Sequence, residues 1–220
     1  MKAFKYSLAS VLFHITALIS VNGAVSSESG LQFRTFIEDI IYIQHVGTIV
    51  PVCKRWTVVP DLIIEASSSG IKSFIQESFS SICFAANLST ESKLPFTVYV
   101  GTYAQLSKIA ADKVPELKLI DQASWFSWND DFTIRENVVF ICTDKIPSDK
   151  LKSTILRTLL AGFGFTHSSS LNYPSNFSST QKASATLTPL DKKILSFIYT
   201  QVPPGTDKKN FSEIVKSNWK

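Results

Sequence analysis

The sequence predicts an α+β domain in which a small mixed β-sheet packs on long helices, with a helix close to the C-terminal end. Strand-like and helix-like segments alternate through the first part of the chain, and helical periodicity dominates the remainder. The length of 220 residues suits one domain of ordinary size, and no internal repeat or low-complexity segment indicates a repeat architecture.

The start of the chain has the features of a secretory signal peptide, which we place at 1–24. Lys2 and Lys5 precede an apolar run, and Gly23 and Ala24 offer small residues for cleavage. The alternative is an uncleaved membrane anchor, but the run is shorter than the roughly 20 apolar residues of a spanning helix. We therefore expect a secreted or periplasmic protein with no transmembrane segment after cleavage.

Cleavage would leave an N-terminal segment at 25–50, which begins with small and polar residues, and a domain at 51–216. The net charge would fall from +4 to +2, because the leader contains two lysines and no acid. This surplus is too small, and its lysines too scattered, to predict nucleic-acid binding.

Three cysteines lie in the predicted domain, namely Cys53, Cys83 and Cys142. In an oxidising compartment we expect one disulfide and one free thiol, and all three pairings are open. None of them has the close cysteine or histidine neighbour that a metal knuckle would need.

Local patterns predict the elements of the first part of the domain. The segment 54–66 is rich in β-formers, and Pro60 within it indicates an edge strand or a bend. Apolar side chains at intervals of three and four from Ile71 to Cys83 predict an amphipathic helix. The remaining predicted elements are a short strand at 94–102, a helix at 103–113 and a buried strand at 136–143.

Two helices are predicted in the last part of the chain. The first begins near Ser148, its expected N-cap, and ends at Gly164 after a continuous apolar face. The signals of the second helix, at 187–200, are Thr188 as N-cap, Pro189 at the first position and Asp191 in the first turn.

The end of the first of these helices carries the main functional signal. Metzincin zinc peptidases share the pattern H-E-x-x-H-x-x-G-x-x-H, whose histidines hold zinc and whose glutamate polarises water. Aligned on Gly164 and His167, this chain reads R-T-L-L-A-G-F-G-F-T-H. Arg157, Thr158 and Ala161 replace the first histidine, the glutamate and the second histidine. The pattern predicts a degenerate active-site helix without catalytic residues.

Downstream segments extend this likeness. "NYPSNF" at 172–177 stands where such peptidases turn beneath the metal, although their usual methionine is absent, and 187–200 resembles the terminal helix of matrixin-like zincins. With "KRWTVVPDLIIEA" at 54–66 and the final "PPGT", the order of segments resembles the bacterial domain-of-unknown-function family 2927 over roughly 53–216. The resemblance implies a single zincin-like domain with no established activity. The chain departs from that family at Thr158, where glutamate is frequent, and at Thr206, which ends its Pro-Gly motif.

A catalytic zinc would need about three protein ligands. After the predicted leader the chain has two histidines, His45 and His167, and the spacing of Asp144, Asp191 and Cys142 does not favour a site with them. We therefore expect neither zinc nor another cofactor, and we interpret His167 as a loop histidine that hydrogen-bonds locally.

Cys142 and Arg157 could each have a functional role, but the sequence favours a structural role for both. Cys142 and His167 could form a nucleophilic pair, but a buried or bridged cysteine is the favoured interpretation. Arg157 could bind a carboxylate or a phosphate in the former substrate cleft, whereas we favour a structural salt bridge.

The segment "SWFSWNDDF" at 124–132 lacks a strong strand or helix pattern. As an exposed loop, its Trp125, Phe126 and Trp128 could contact a partner protein or a sugar. The favoured alternative is that these rings cap the edge of the sheet and complete the core.

These observations favour a non-catalytic, zincin-like (pseudo-metalloprotease) domain that binds a protein or another ligand of the cell envelope. The first alternative is a hydrolase with an atypical site around His167. The second is a structural component of a cell-envelope assembly with no ligand pocket.

Overall fold

The computed structural model describes residues 31–42 and 52–219. The predicted signal peptide, His45 and most of the N-terminal segment lie outside the described residues. The helices are α1 (31–41), α2 (Ser69–Ala85), α3 (Tyr103–Lys113), α4 (Leu151–Gly162), α5 (Pro189–Gln201) and α6 (Lys208–Asn218). The strands are β1 (Val59–Glu65), β2 (Glu91–Gly101), β3 (Gln122–Trp128) and β4 (Ile134–Cys142).

The strands form one mixed sheet in the order β1-β2-β4-β3. The first three strands in this order run parallel, and β3 is antiparallel to β4 at one edge of the sheet. The connections between the parallel strands contain α2 and α3, as parallel neighbours require a crossover. At the other edge, Pro60 lies at an irregularity in the pairing of β1, where a missing N–H is tolerated.

Apolar side chains cover both faces of the sheet, because successive residues of a strand point to opposite faces. Phe96 and Ile141 face the larger core, which they form with α1, α2, α4, α5 and α6. Phe140 and Cys142 face the smaller core beneath α3. The predicted α+β arrangement, with a small mixed sheet packed on helices and a helical C-terminal part, is confirmed.

Helix α1 belongs to this core although it precedes the predicted start of the domain at residue 51. Phe36, Ile37 and Ile40 are fully buried in the larger core. The carboxylate of Glu38 accepts a hydrogen bond from the Ser212 hydroxyl at 2.7 Å and lies 3.3 Å from the Lys208 ammonium. The N-terminal helix is thus attached to α6 by both apolar and charged contacts.

The predicted strands and helices are present with shifted ends, and Thr188 caps α5 as predicted, with Asp191 completing a capping box. Ser148 does not cap α4. A turn precedes this helix, and its N-cap is Lys150, whose side chain makes no capping bond. The segment expected as an aromatic loop forms β3, because pairing with β4 provides the order that the local pattern does not. Helices α1 and α6 were not predicted.

All three cysteines are buried free thiols. Cys142 lies in the smaller core and Cys53 and Cys83 in the larger one, on the opposite face of the sheet. The structure therefore does not support the expected disulfide. Within the described ranges, no helix is both long enough and apolar enough to cross a membrane.

Candidate functional site

A cleft of roughly 430 Å³ lies between helix α4 and the start of β3. Gln122, Ala123 and Ser124 of β3 form one side, and residues of α4 form the other. The segment 165–168 after α4 and the turn at 176–177 close the remaining sides. Most of the residues that align with the peptidase pattern thus line this cleft.

The wall formed by α4 ends in a tight turn at Gly164, as predicted. The Phe165 N–H donates to the Leu160 carbonyl and the Gly164 N–H to the Ala161 carbonyl, which is a Schellman motif. Gly164 has a φ of +96°, and a Cβ atom on it would lie 2.1 Å from the carbonyl oxygen of Lys54. Only glycine therefore allows both the turn and the close approach of the segment before β1.

Two side-chain hydrogen bonds also stabilise the C-terminal end of α4. The Trp56 indole Nε1 donates to the Gly162 carbonyl at 3.0 Å, and the Tyr199 hydroxyl donates to the Phe163 carbonyl at 2.8 Å. Both rings are buried in the larger core. These bonds satisfy carbonyls that the helix end leaves without intrahelical partners.

The turn at 175–177 is fixed by the fully buried carboxylate of Asp191 in α5. Its Oδ1 accepts from the Ser175 hydroxyl at 2.6 Å and from the Asn176 N–H at 3.0 Å. Its Oδ2 accepts from the Asn176 side-chain amide and the Thr188 N–H, both at 2.8 Å. Because both oxygens are satisfied by local donors, Asp191 acts as a structural anchor for this side of the cleft.

Four of the five residues of the degenerate active-site helix line the cleft, namely Arg157, Thr158, Ala161 and His167. Gly164 shapes the turn behind it. The Thr158 hydroxyl lies 2.9 Å from Gln122 Oε1 and 2.8 Å from the Thr154 carbonyl, so it links α4 to β3. Ala161 leaves space where a histidine would reach into the cavity.

Arg157 does not form the structural salt bridge that we favoured from the sequence. Its Nη2 donates to the Ser178 carbonyl at 2.7 Å, and none of the ion pairs among the described residues includes it. Its Nε is buried and has no acceptor. Burial lowers the pKa of this guanidinium, and the charge of Asp191 opposes that shift. Arg157 is therefore a half-buried cation that forms no direct ion pair with an acid among the described residues, although the charge of Asp191 acts on it.

The three aromatic residues of β3 do not share one surface. Trp125 packs against the smaller core, whereas Phe126 packs against the larger one. Trp128 follows an irregularity in the strand pairing and is 40% exposed, with the Lys54 ammonium 4.5 Å from its ring centroid. The strand therefore divides these rings between two faces, which is typical of β pleating.

No described strand pairs with the edge of β3 that faces away from β4. The Cys142 N–H donates to the Asp121 carbonyl, so residues at every second position from Asp121 bond to β4. The main-chain groups of Gln122, Ser124 and Phe126 then point to the free edge. The Gln122 N–H is bonded to the Asp121 carboxylate at 2.8 Å, and no described residue hydrogen-bonds to the other main-chain groups at these positions.

The other candidate reactive groups do not meet in the cleft. Cys142 lies beneath α3, and burial raises its thiol pKa to about 11, whereas His167 lines the cleft on the opposite face. Asp144 accepts from the first N–H of α3. Across residues 31–42 and 52–219, no group of three potential metal-ligating His, Cys, Asp or Glu side chains is present.

Comparisons of the chain with protein-family models, with curated proteins and with solved structures found no match. The resemblance to family 2927 consequently stays a prediction from the sequence. Sequence reasoning identified most of the α4 wall of the cleft, but it missed Gln122 and Ser124. No local pattern could have indicated them, because their position depends on the pairing of β3 with a later strand.

Proposed function

We propose that this protein is a secreted or periplasmic, zincin-like domain without catalytic activity, which binds an extended segment of a partner protein in the cleft between α4 and β3. The free edge of β3 carries this proposal. An extended chain can add a strand to such an edge through main-chain hydrogen bonds, while pockets beside the edge select its side chains. The cleft beside Ser124 is such a pocket.

The zincin-like assignment has its support in three features considered together. A mixed sheet has its antiparallel edge strand beside the helix that carries the degenerate pattern. Gly164 turns the chain after this helix, and His167 lines the cleft. The turn at 175–177 borders the same cleft and is anchored by Asp191 of α5. Arg157, Thr158 and Ala161, in place of zinc ligands and a catalytic glutamate, favour binding over hydrolysis.

The test is a selection of linear peptides on the purified chain, from a random library displayed with free C-termini on phage. The matched variants are Ala161→Trp, which fills the cleft, and Ala111→Trp, which adds the same ring to an exposed position of α3. We expect selected peptides to bind the first variant at least about tenfold more weakly, and the second as they bind the unmodified chain. Peptide binding that Ala161→Trp does not affect, or a selection without binders, would contradict the proposal.

A further inference from the structure

Arg157 has donor capacity that the folded chain leaves unused. An arginine side chain carries five N–H groups. One of them donates to the Ser178 carbonyl, and the Nε–H is enclosed without an acceptor. The other three, on Nη1 and Nη2, have no acceptor among the described residues. An arginine held in this way presents a prearranged pair of donors.

The charges of the residues that line the cleft also favour an anionic ligand. Among the described residues that line it, Arg157 carries the one permanent charge, and no carboxylate lies on its wall. The nearby Asp191 is fully buried and its oxygens are satisfied by Ser175, Asn176 and Thr188. The guanidinium is thus partly removed from water without a direct ion pair among the described residues. The Asp191 charge acts on it from a carboxylate whose oxygens are already hydrogen-bonded, and an anionic ligand group in the cleft could pair with Arg157 directly.

We propose that Arg157 binds a carboxylate of the partner segment, either from an acidic side chain or from the C-terminus of that segment. This inference rests on the proposed function. A carboxylate matches the planar donor fork of a guanidinium in a bidentate arrangement. One fixed cation balances a monoanion, whereas a phosphate dianion would leave excess negative charge in a cleft with no second permanent cation on its described wall.

The neighbouring side chains fit this role. Ser124 and Gln122 lie on the same cleft, and the Ser124 hydroxyl proton and the Gln122 side-chain N–H groups donate to no described residue. Ala161 leaves space for the ligand. A segment that pairs with the β3 edge would direct alternate side chains toward α4. Its acidic side chain or its C-terminal group would then reach Arg157 from the strand side.

The test uses peptides from the selection described above, each measured in two altered forms. In one form the acidic side chains are replaced by Asn or Gln, and in the other the C-terminus is amidated. We expect one of the two changes to weaken binding to the unmodified chain at least tenfold, which also identifies the source of the carboxylate. The same change to the peptide should not weaken its binding to the Arg157→Gln variant, because that variant lacks the guanidinium that the carboxylate would contact.

Two further variants separate charge from fold. Arg135→Gln removes an exposed arginine of β4 outside the cleft and should bind as the unmodified chain does. Arg157→Lys keeps the charge without the planar fork, so its affinity for the peptides should lie between those of the unmodified chain and Arg157→Gln. The selected peptides could instead lose binding to the Ala161→Trp variant yet bind the unmodified chain within about twofold after either change to the peptide. That result would overturn the carboxylate inference and leave the proposed function intact. An absence of peptides that Ala161→Trp blocks would overturn both.

Discussion

At the scale of single residues, the cleft depends on positions that tolerate little change. Gly164 allows the backbone to turn where the carbonyl of Lys54 leaves no room for a Cβ atom. Asp191 holds the turn on the other side through three hydrogen bonds. Gly162 lets α4 approach the sheet, since a Cβ there would lie 2.6 Å from both the Asn137 Oδ1 and the Phe96 ring. These residues position the cleft without lining it directly.

The replacement Gly164→Ala should strongly destabilise the fold. The positive φ and the 2.1 Å approach to the Lys54 carbonyl must both be relieved, which we expect to lower the free energy of unfolding by roughly 3 kcal/mol or more. The measurement is urea denaturation followed by circular dichroism.

Gly70→Ala is the matched control for that replacement. Gly70 lies at the start of α2, and the nearest atom to an added Cβ is 3.9 Å away. Alanine should therefore be neutral there or stabilise by up to about 1 kcal/mol. Equal effects of the two replacements would show that the turn at Gly164 is not constrained as described.

At the scale of elements, the sheet supplies order that short-range patterns do not reveal. The sequence predicted β1, β2, β4 and α2 to α5, because their apolar periodicity and capping residues are strong local signals. It did not predict β3, whose polar and aromatic residues acquire their arrangement only by pairing with β4. The side of the cleft formed by β3 could consequently not be predicted from the sequence, whereas the side formed by α4 was predicted through Gly164 and His167.

Helix α1 is a second element that local sequence patterns did not predict. Its contacts are with α6 and the larger core, more than a hundred residues away along the chain in the case of Glu38 and Ser212. The sequence placed residues 31–41 in the N-terminal segment that precedes the predicted domain. In the structure they pack into the larger core.

The replacement Ile37→Ala should therefore destabilise the whole domain. Ile37 is fully buried in the larger core, so a cavity at this position should cost about 2–5 kcal/mol. Thr35→Ala is the control, because Thr35 is exposed on the same helix and its hydroxyl bonds only within the helix. Chemical denaturation should show a single transition that shifts for the first variant only. An unchanged midpoint for Ile37→Ala would contradict the packing of α1.

At the scale of the whole molecule, the three thiols are enclosed on both faces of the sheet. Burial raises the pKa values of Cys53 and Cys83 to about 12 and that of Cys142 to about 11. The reactive thiolate is thus a negligible fraction at neutral pH, and these cysteines should be chemically inert in the folded chain.

Thiol titration with an aromatic disulfide reagent at pH 8 should detect no rapidly reacting group in the native protein. After unfolding in guanidinium chloride without reductant, it should detect three groups per chain, because the structure contains only free cysteines. A value of one group in the unfolded protein would show that two cysteines are bridged and that the enclosure described for them is wrong.

At one cleft, the fold places a β3 edge that no described strand covers beside an arginine that forms no ion pair with a described residue, and we propose that a polypeptide segment binds there. Amide hydrogen exchange measured by NMR, with and without a saturating selected peptide, tests it most directly. Exchange at Ser124 and Phe126 should slow at least about tenfold on binding, while Ala123 and Trp125, already bonded to β4, should change little. Unchanged exchange at Ser124 and Phe126 in the saturated complex would contradict the claim.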